Sequence, residues 1–214
     1  MSTEYLRTFS ALSTREEFIQ RYLFMKTRIK SGFTADGLAF LIGKPPFFIV
    51  DYEESNGINI FSKEDLEALS SVSQNSYLEN VFKANKRHEN SNEKKLIRGK
   101  RELINGYYQY TLMHSWLISG ENKPFILSEN IRIHASNENK KLVTSIFLLV
   151  RRLVNEDFFE LPKIPMEIYR ALQSYRFHKA GVLASLLKEV MLELVRLQEL
   201  SVSSISKGMC FQRK

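Results

Sequence analysis

What this chain lacks excludes a good deal. It has 214 residues and a single cysteine, Cys210, so an intrachain disulfide is excluded and a reducing compartment is expected. The longest apolar runs, such as 145–150, fall far short of the roughly 20 residues of a membrane span. The first residues, Met1-Ser2-Thr3-Glu4-Tyr5, show no basic segment ahead of an apolar one, so no secretory signal is expected. These absences predict a cytoplasmic protein without membrane contact. The histidines His88, His114, His134 and His178 do not stand at metal-ligand spacing with one another or with Cys210. There is no phosphate-cradling glycine loop and no Gly-x-Ser-x-Gly turn for a nucleophile. The acidic pairs Glu16-Glu17, Glu53-Glu54 and Glu156-Asp157 lie at expected helix ends, where helix dipoles or solvent take up their charge. Cys210, near the end of an expected strand, reads as a small apolar residue. No enzyme, cofactor or metal is expected.

What the chain does have is positive charge. Lys and Arg number 31 against 24 Asp and Glu, a formal net charge of +7. That balance favours phosphate-rich partners such as nucleic acid or anionic lipid. The length allows one large domain or two small ones, and no internal repeat is present.

Helical periodicity opens the chain. Phe18, Tyr22, Met25 and Ile29 form one stripe over 14–31, capped by Ser13 or Thr14 and stopped at Gly32. A short helix over 34–42 follows, with Thr34 as its cap and Gly43 as its turn. A third helix spans Pro46 to about Glu54. Ser62, with Asp65 three residues on, opens a fourth to about Val72. Residues 83–101 are dense in Lys and Arg among Asn, Ser and Glu, and 79–96 are expected to be a basic polar linker. Asn105-Gly106 favours a type I′ turn, which predicts a hairpin over about 97–114; further strands are expected near Phe125–Leu127 and Ile131–His134. Helical periodicity returns at about 143–159, 165–175 and 180–198, before a short final hairpin around Ser206-Lys207-Gly208.

The segment from Thr34 to Glu53 resembles the Cro/repressor-type, phage-repressor-like helix-turn-helix family, and the resemblance extends over 14–74. Thr34, Leu38-Ala39, Gly43, Ile49 and Glu53 carry it. Leu38, Ala39 and Ile49 face inward, and Gly43 takes the left-handed turn. The departures fall where such a motif would meet DNA. Ala35 stands at the position of a phosphate-contacting polar residue. The base-facing positions are Pro46, Phe47, Phe48 and Asp51, none of them a usual reader of base edges, and Lys44 is the helpful charge nearby. Phe47 and Phe48 make an aromatic patch that suits a protein partner, or they are partly core.

Residues 142–214 resemble a winged helix in element order and apolar pattern. The resemblance implies that Arg176, His178, Lys179 and Lys188 lie on or near a groove-entering helix, with Lys207, Arg213 and Lys214 on the wing. The apolar face of 182–197, with Val182, Leu186 and Met191 beside the main stripe, is broader than one seam requires and suits a partner helix or a homodimer.

The expected fold is therefore mainly α with a small antiparallel β part. The expected segments are a helix-turn-helix domain (1–78), the linker (79–96), a β-hairpin region (97–140) and a winged-helix-like domain (141–214). Two functions fit. One is a DNA-binding transcriptional regulator on double-stranded DNA, its affinity supplied by basic regions: Lys44, Lys94, Lys95, Arg98, Lys100, Arg101, Arg176, Lys179, Lys188 and Lys207. The other is a protein-interaction adaptor that uses Phe47 and Phe48. Tyr107, Tyr108 and Tyr110 could stack bases or pack across strands.

Overall fold

The computed structural model describes residues 5–54, 61–72, 93–116, 123–130, 137–175, 180–205 and 208–214. Residues 1–30 and 50–132 pack as one unit, and residues 31–49 and 133–214 as a second.

The first unit begins with strand β1 (Tyr5–Ser13), followed by helix α1 (Arg15–Lys30). A reciprocal cap starts the helix: the Glu17 amide donates to Thr14 Oγ1 at 3.2 Å, and the Thr14 amide donates to the Glu17 carboxylate at 2.9 Å. Helix α2 (Ala35–Leu41) belongs to the second unit, and α3 (Phe48–Glu54) spans the boundary between the two. Helix α4 (Lys63–Val72) opens with the same device, Ser62 and Asp65 exchanging hydrogen bonds at 2.9 and 3.2 Å. Strands β2 (Lys95–Ile104), β3 (Tyr107–Met113) and β4 (Phe125–Asn130) complete an antiparallel sheet of order β1-β2-β3-β4. Asn105 and Gly106 both have positive φ, 51° and 79°, so the expected turn joins β2 to β3.

The expectation of a mainly α protein is corrected. Six strands accompany seven helices among the described residues, and the fold is mixed α/β, with a four-stranded antiparallel sheet in the first unit. The unexpected strand is β1. Its inner face is Arg7, Phe9, Ala11 and Ser13, opposite Arg101, Gly99, Ile97 and Lys95 of β2. Its outer face exposes Leu6 and Leu12. Charge inside and leucine outside erase the alternation by which a half-buried strand is recognised. Gly99 has a structural use here, since the Phe9 ring lies over it and a Cβ there would come 2.0 Å from Phe9 Cζ. The expected strand at Ile131–His134 lies outside the described residues. So do 79–92 of the expected linker, whose last residues, Lys95 and Leu96, are already strand.

Helix α1 covers the inner face of the sheet. Phe18 and Met25 pack with Ile97, Tyr110, Leu112 and Trp116. Beside this apolar core lies a buried ionic cluster. The Arg28 guanidinium donates to Glu53 from Nε at 2.6 Å and Nη2 at 2.9 Å, and to Glu129 from Nη1 at 2.8 Å and Nη2 at 3.2 Å. The Tyr110 hydroxyl donates to Glu129 at 2.7 Å. Burial opposes the charge on Arg28, but the two carboxylates outweigh it and hold its pKa well above the ordinary value. One cation cannot neutralise two anions, and burial pushes the Glu53 carboxyl up against the pull of Arg28. Glu54, beside it, is paired with Arg7 at 2.7 Å and Arg101 at 2.9 Å. The expectation that the Glu53-Glu54 pair faces solvent or a helix dipole is thereby corrected.

The second unit contains α2, α5 (Asn137–Asn155), α6 (Pro165–Gln173), α7 (Ala180–Arg196) and the hairpin β5 (Leu200–Ile205) and β6 (Gly208–Arg213). Helix α7 is its centre, with Leu183, Leu187, Val190 and Leu194 buried. Both α2 and α5 pack on α7. Leu186 and Met191 of its broad apolar face are buried within the chain, whereas Leu192 is exposed.

Candidate nucleic-acid interface

The α5–α6–α7–hairpin segment carries a feature that element order alone does not include. Lys163, between α5 and α6, makes an antiparallel bridge to Phe211 of β6. Its amide donates to the Phe211 carbonyl at 2.7 Å, and the return bond is 2.8 Å. Pro165 then fixes the first turn of α6, and the Glu167 carboxylate accepts from the Ile164 amide at 2.9 Å. The hairpin is thus tied back to the start of α6 as a short third strand would tie it. Phe211 is fully buried.

The turn after α2 holds the hairpin at a second point. Gly43 has φ 71°, the left-handed turn expected of it. Its carbonyl accepts from the Met209 amide at 3.1 Å. Gly208, at φ 110°, permits this approach, because a Cβ there would lie 2.5 Å from the Gly43 oxygen.

Helix α2 lies along the α7 face that contains Ser185 and Lys188. Thr34 caps α2 by accepting from the Gly37 amide at 3.0 Å, and its hydroxyl meets the Ser185 hydroxyl at 3.2 Å. A Cβ at Gly37 would come 3.0 Å from Ser185 Oγ, so the glycine sets how closely the two helices meet. Lys188 is ion-paired with Asp36 of α2. Between residues 183 and 196 the exposed positions of α7 are Glu189, Leu192 and Arg196, and Arg196 pairs with Glu193 at 2.7 Å.

The cations singled out in the sequence have varied placements. Lys44 is half-buried, its ammonium 5.3 Å from the centre of the Phe48 ring. Lys94 is exposed just before β2. Lys95 pairs with Glu93 at 3.5 Å and Lys100 with Glu102 at 2.7 Å. Arg98 is exposed on the outer sheet face, opposite Met113. Arg101 is a structural residue, held by Glu54 and lying 5.1 Å over the Tyr108 ring. Arg213 pairs with Asp157 at 3.1 Å, and Lys214 is exposed. Arg176, His178, Lys179 and Lys207 lie outside the described residues. Among the described cations expected to contact DNA, Lys44 and Lys188 line one cavity in the second unit.

Phe47 is 68% exposed whereas Phe48 is half-buried, so the aromatic patch reduces to one open ring. Of the three tyrosines, Tyr110 is buried, Tyr108 lies under Arg101, and Tyr107 is exposed, accepting from Asn130 at 3.3 Å. Cys210 is fully buried.

No family model matches the chain, and neither a curated protein nor a solved structure does. Among the described residues no group of three His, Cys, Asp or Glu side chains could hold a metal ion, and no helix is long and apolar enough to cross a membrane.

Sequence reading missed the Arg28 cluster and the Asp36–Lys188 pair. A signal for the first was available: Arg21 and Arg28 interrupt the apolar stripe of α1 and are buried with it. A cation on a core-facing stripe implies a buried anion, though not which one.

Proposed function

We propose that this protein binds duplex DNA, as a regulator of transcription, through its second unit. The observation that carries this reading is the distribution of charge. Residues 31–49 and 133–214 contain fourteen Lys and Arg against nine Asp and Glu, so five of the seven excess positive charges belong to this unit. They accompany a helix–helix–hairpin arrangement whose hairpin is tied back at Lys163. The Glu189 and Leu192 positions of α7 do not suit base edges. Affinity on this reading comes from phosphate neutralisation by exposed cations such as Lys140, Lys141, Arg170 and Lys214.

Fluorescence anisotropy with a labelled duplex over a salt series tests this. Binding should weaken with salt at a slope of about −0.9 per phosphate contacted, and Lys140→Glu with Lys141→Glu should lower both affinity and slope. Absence of binding at about 50 mM salt would remove the proposal.

A second reading, a protein-interaction adaptor, rests on the exposure of Phe47. It requires a partner complex that Phe47→Ala abolishes while DNA affinity is unchanged.

A further inference from the structure

The sheet of the first unit has one long edge. Strand β1 ends the order β1-β2-β3-β4, and among the described residues no strand pairs with its far side. Its nine residues pair with β2 without a bulge, and it contains no proline. Such an edge offers a row of amides and carbonyls to another strand, which proteins ordinarily blunt with proline, charge or a bulge. The other edge strand, β4, is shorter, starts directly after Pro124 and turns the charge of Glu129 inward.

The hairpin fixes which amides point outward. A two-residue type I′ turn closes on a pair that exchanges both hydrogen bonds, here Ile104 and Tyr107. Alternation then directs the even-numbered residues of β2 to β3 and the odd-numbered ones to β1. The β1 partners of the latter are Tyr5, Arg7, Phe9, Ala11 and Ser13. The amides of Leu6, Thr8, Ser10 and Leu12 therefore point to the open edge. Their side chains lie on the outer face, all exposed, Leu6 by 54% and Leu12 by 55%.

These four residues run apolar, hydroxyl, hydroxyl, apolar, a pattern that matches itself when reversed. Two copies laid antiparallel with all nine residues paired have their two-fold axis at Phe9. Leu6 of each copy then meets Leu12 of the other, and Thr8 meets Ser10. On the inner face Arg7 meets Ala11, so no two cations oppose each other. Each Phe9 ring lies over Gly99 of its own chain, away from the edge, which clears the centre. Helix α1 comes closest to the sheet at β4, the opposite edge. We propose that two copies of this chain pair through β1, joining their four-stranded sheets into one of eight strands. This concerns the first unit and stands whether or not the second binds DNA.

Sedimentation velocity of the full chain over a concentration series tests it, and the mass should rise to twice that of one chain. Leu6→Lys with Leu12→Lys sets lysine against lysine at both ends and should weaken the dimer about tenfold. Leu6→Glu with Leu12→Lys sets opposite charges together and should retain it. Both leucines are exposed, so the single chain tolerates these changes. Oxidative cross-linking reads the register. Thr8→Cys and Ser10→Cys chains should stay uncrosslinked when each is alone and form a covalent dimer when mixed. Only the mixture places two thiols on directly opposed residues, about 5.5 Å apart at Cα. Cys210 is buried and does not join. A chain that is monomeric at every concentration overturns the proposal. So does an equal effect of the two charged variants, or cross-linking of either cysteine variant alone.

Discussion

Arg28 grips Glu53 at two points, Nε to Oε1 at 2.6 Å and Nη2 to Oε2 at 2.9 Å, with both side chains out of solvent. The same guanidinium holds Glu129, so one guanidinium and two carboxyl groups share one buried site.

Removing the cation should therefore be severe. Arg28→Leu leaves two buried carboxylates without a counter-charge, and a loss of about 3–5 kcal/mol is expected, read from urea unfolding. The variant should recover stability as pH falls. A carboxyl whose folded pKa is raised contributes stability that is fully present below the unfolded value, about 4.3, and lost as pH rises through the folded one. A variant as stable as the parent at neutral pH would show that the cluster is not a structural necessity.

Alkali should unfold the protein through its tyrosines. Burial pushes the phenols of Tyr52, Tyr110 and Tyr169 upward. In the unfolded chain they ionise near pH 10, so their contribution is present below about that pH and is lost as pH climbs above it. Phenolate absorbance of these three should appear together with loss of the circular dichroism of the fold. Ionisation of all nine tyrosines ahead of any unfolding would contradict their burial.

Two glycines of positive φ should tolerate alanine differently. Gly32, at φ 77°, has open space where a Cβ would stand, so Gly32→Ala should cost only the backbone strain, about 1–2 kcal/mol. Gly208→Ala adds a clash with the Gly43 carbonyl and should cost more. Equal midpoints in thermal unfolding of the two variants would argue against the hairpin clamp.

The two adjacent phenylalanines should also separate. Phe47→Ala removes an exposed ring, and its effect on stability should stay within about 0.5 kcal/mol. Phe48→Ala removes a half-buried ring together with its contact to Lys44 and should be distinctly more destabilising in the same unfolding assay.

Features that depend on neighbours three or four residues away were legible in the sequence. The Thr14–Glu17 and Ser62–Asp65 caps, the Asn105-Gly106 turn, the Thr34 cap and the Gly43 turn are all present. The face of α1 was legible only in part, because its buried side includes Arg21 and Arg28 as well as Phe18 and Met25. The candidate interface was less legible. A lysine or arginine reads alike whether it faces solvent or an acid distant in sequence, and Arg101 and Lys188 proved to be ion-paired with residues of α3 and α2.

Single cysteine content, excess positive charge, helix starts and turns are properties of composition and short segments, and the sequence by itself determined them. Only the tertiary structure decided that β1 joins the sheet, that α2 lies on α7, and that Lys44 and Lys188 meet at one cavity. The physical reason is separation along the chain. Arg28 and Glu129 lie 101 positions apart, and Asp36 and Lys188 lie 152 apart. No local pattern selects such partners. For Arg28 burial does, because a charge withdrawn from water must find its counter-charge wherever the folded chain brings one.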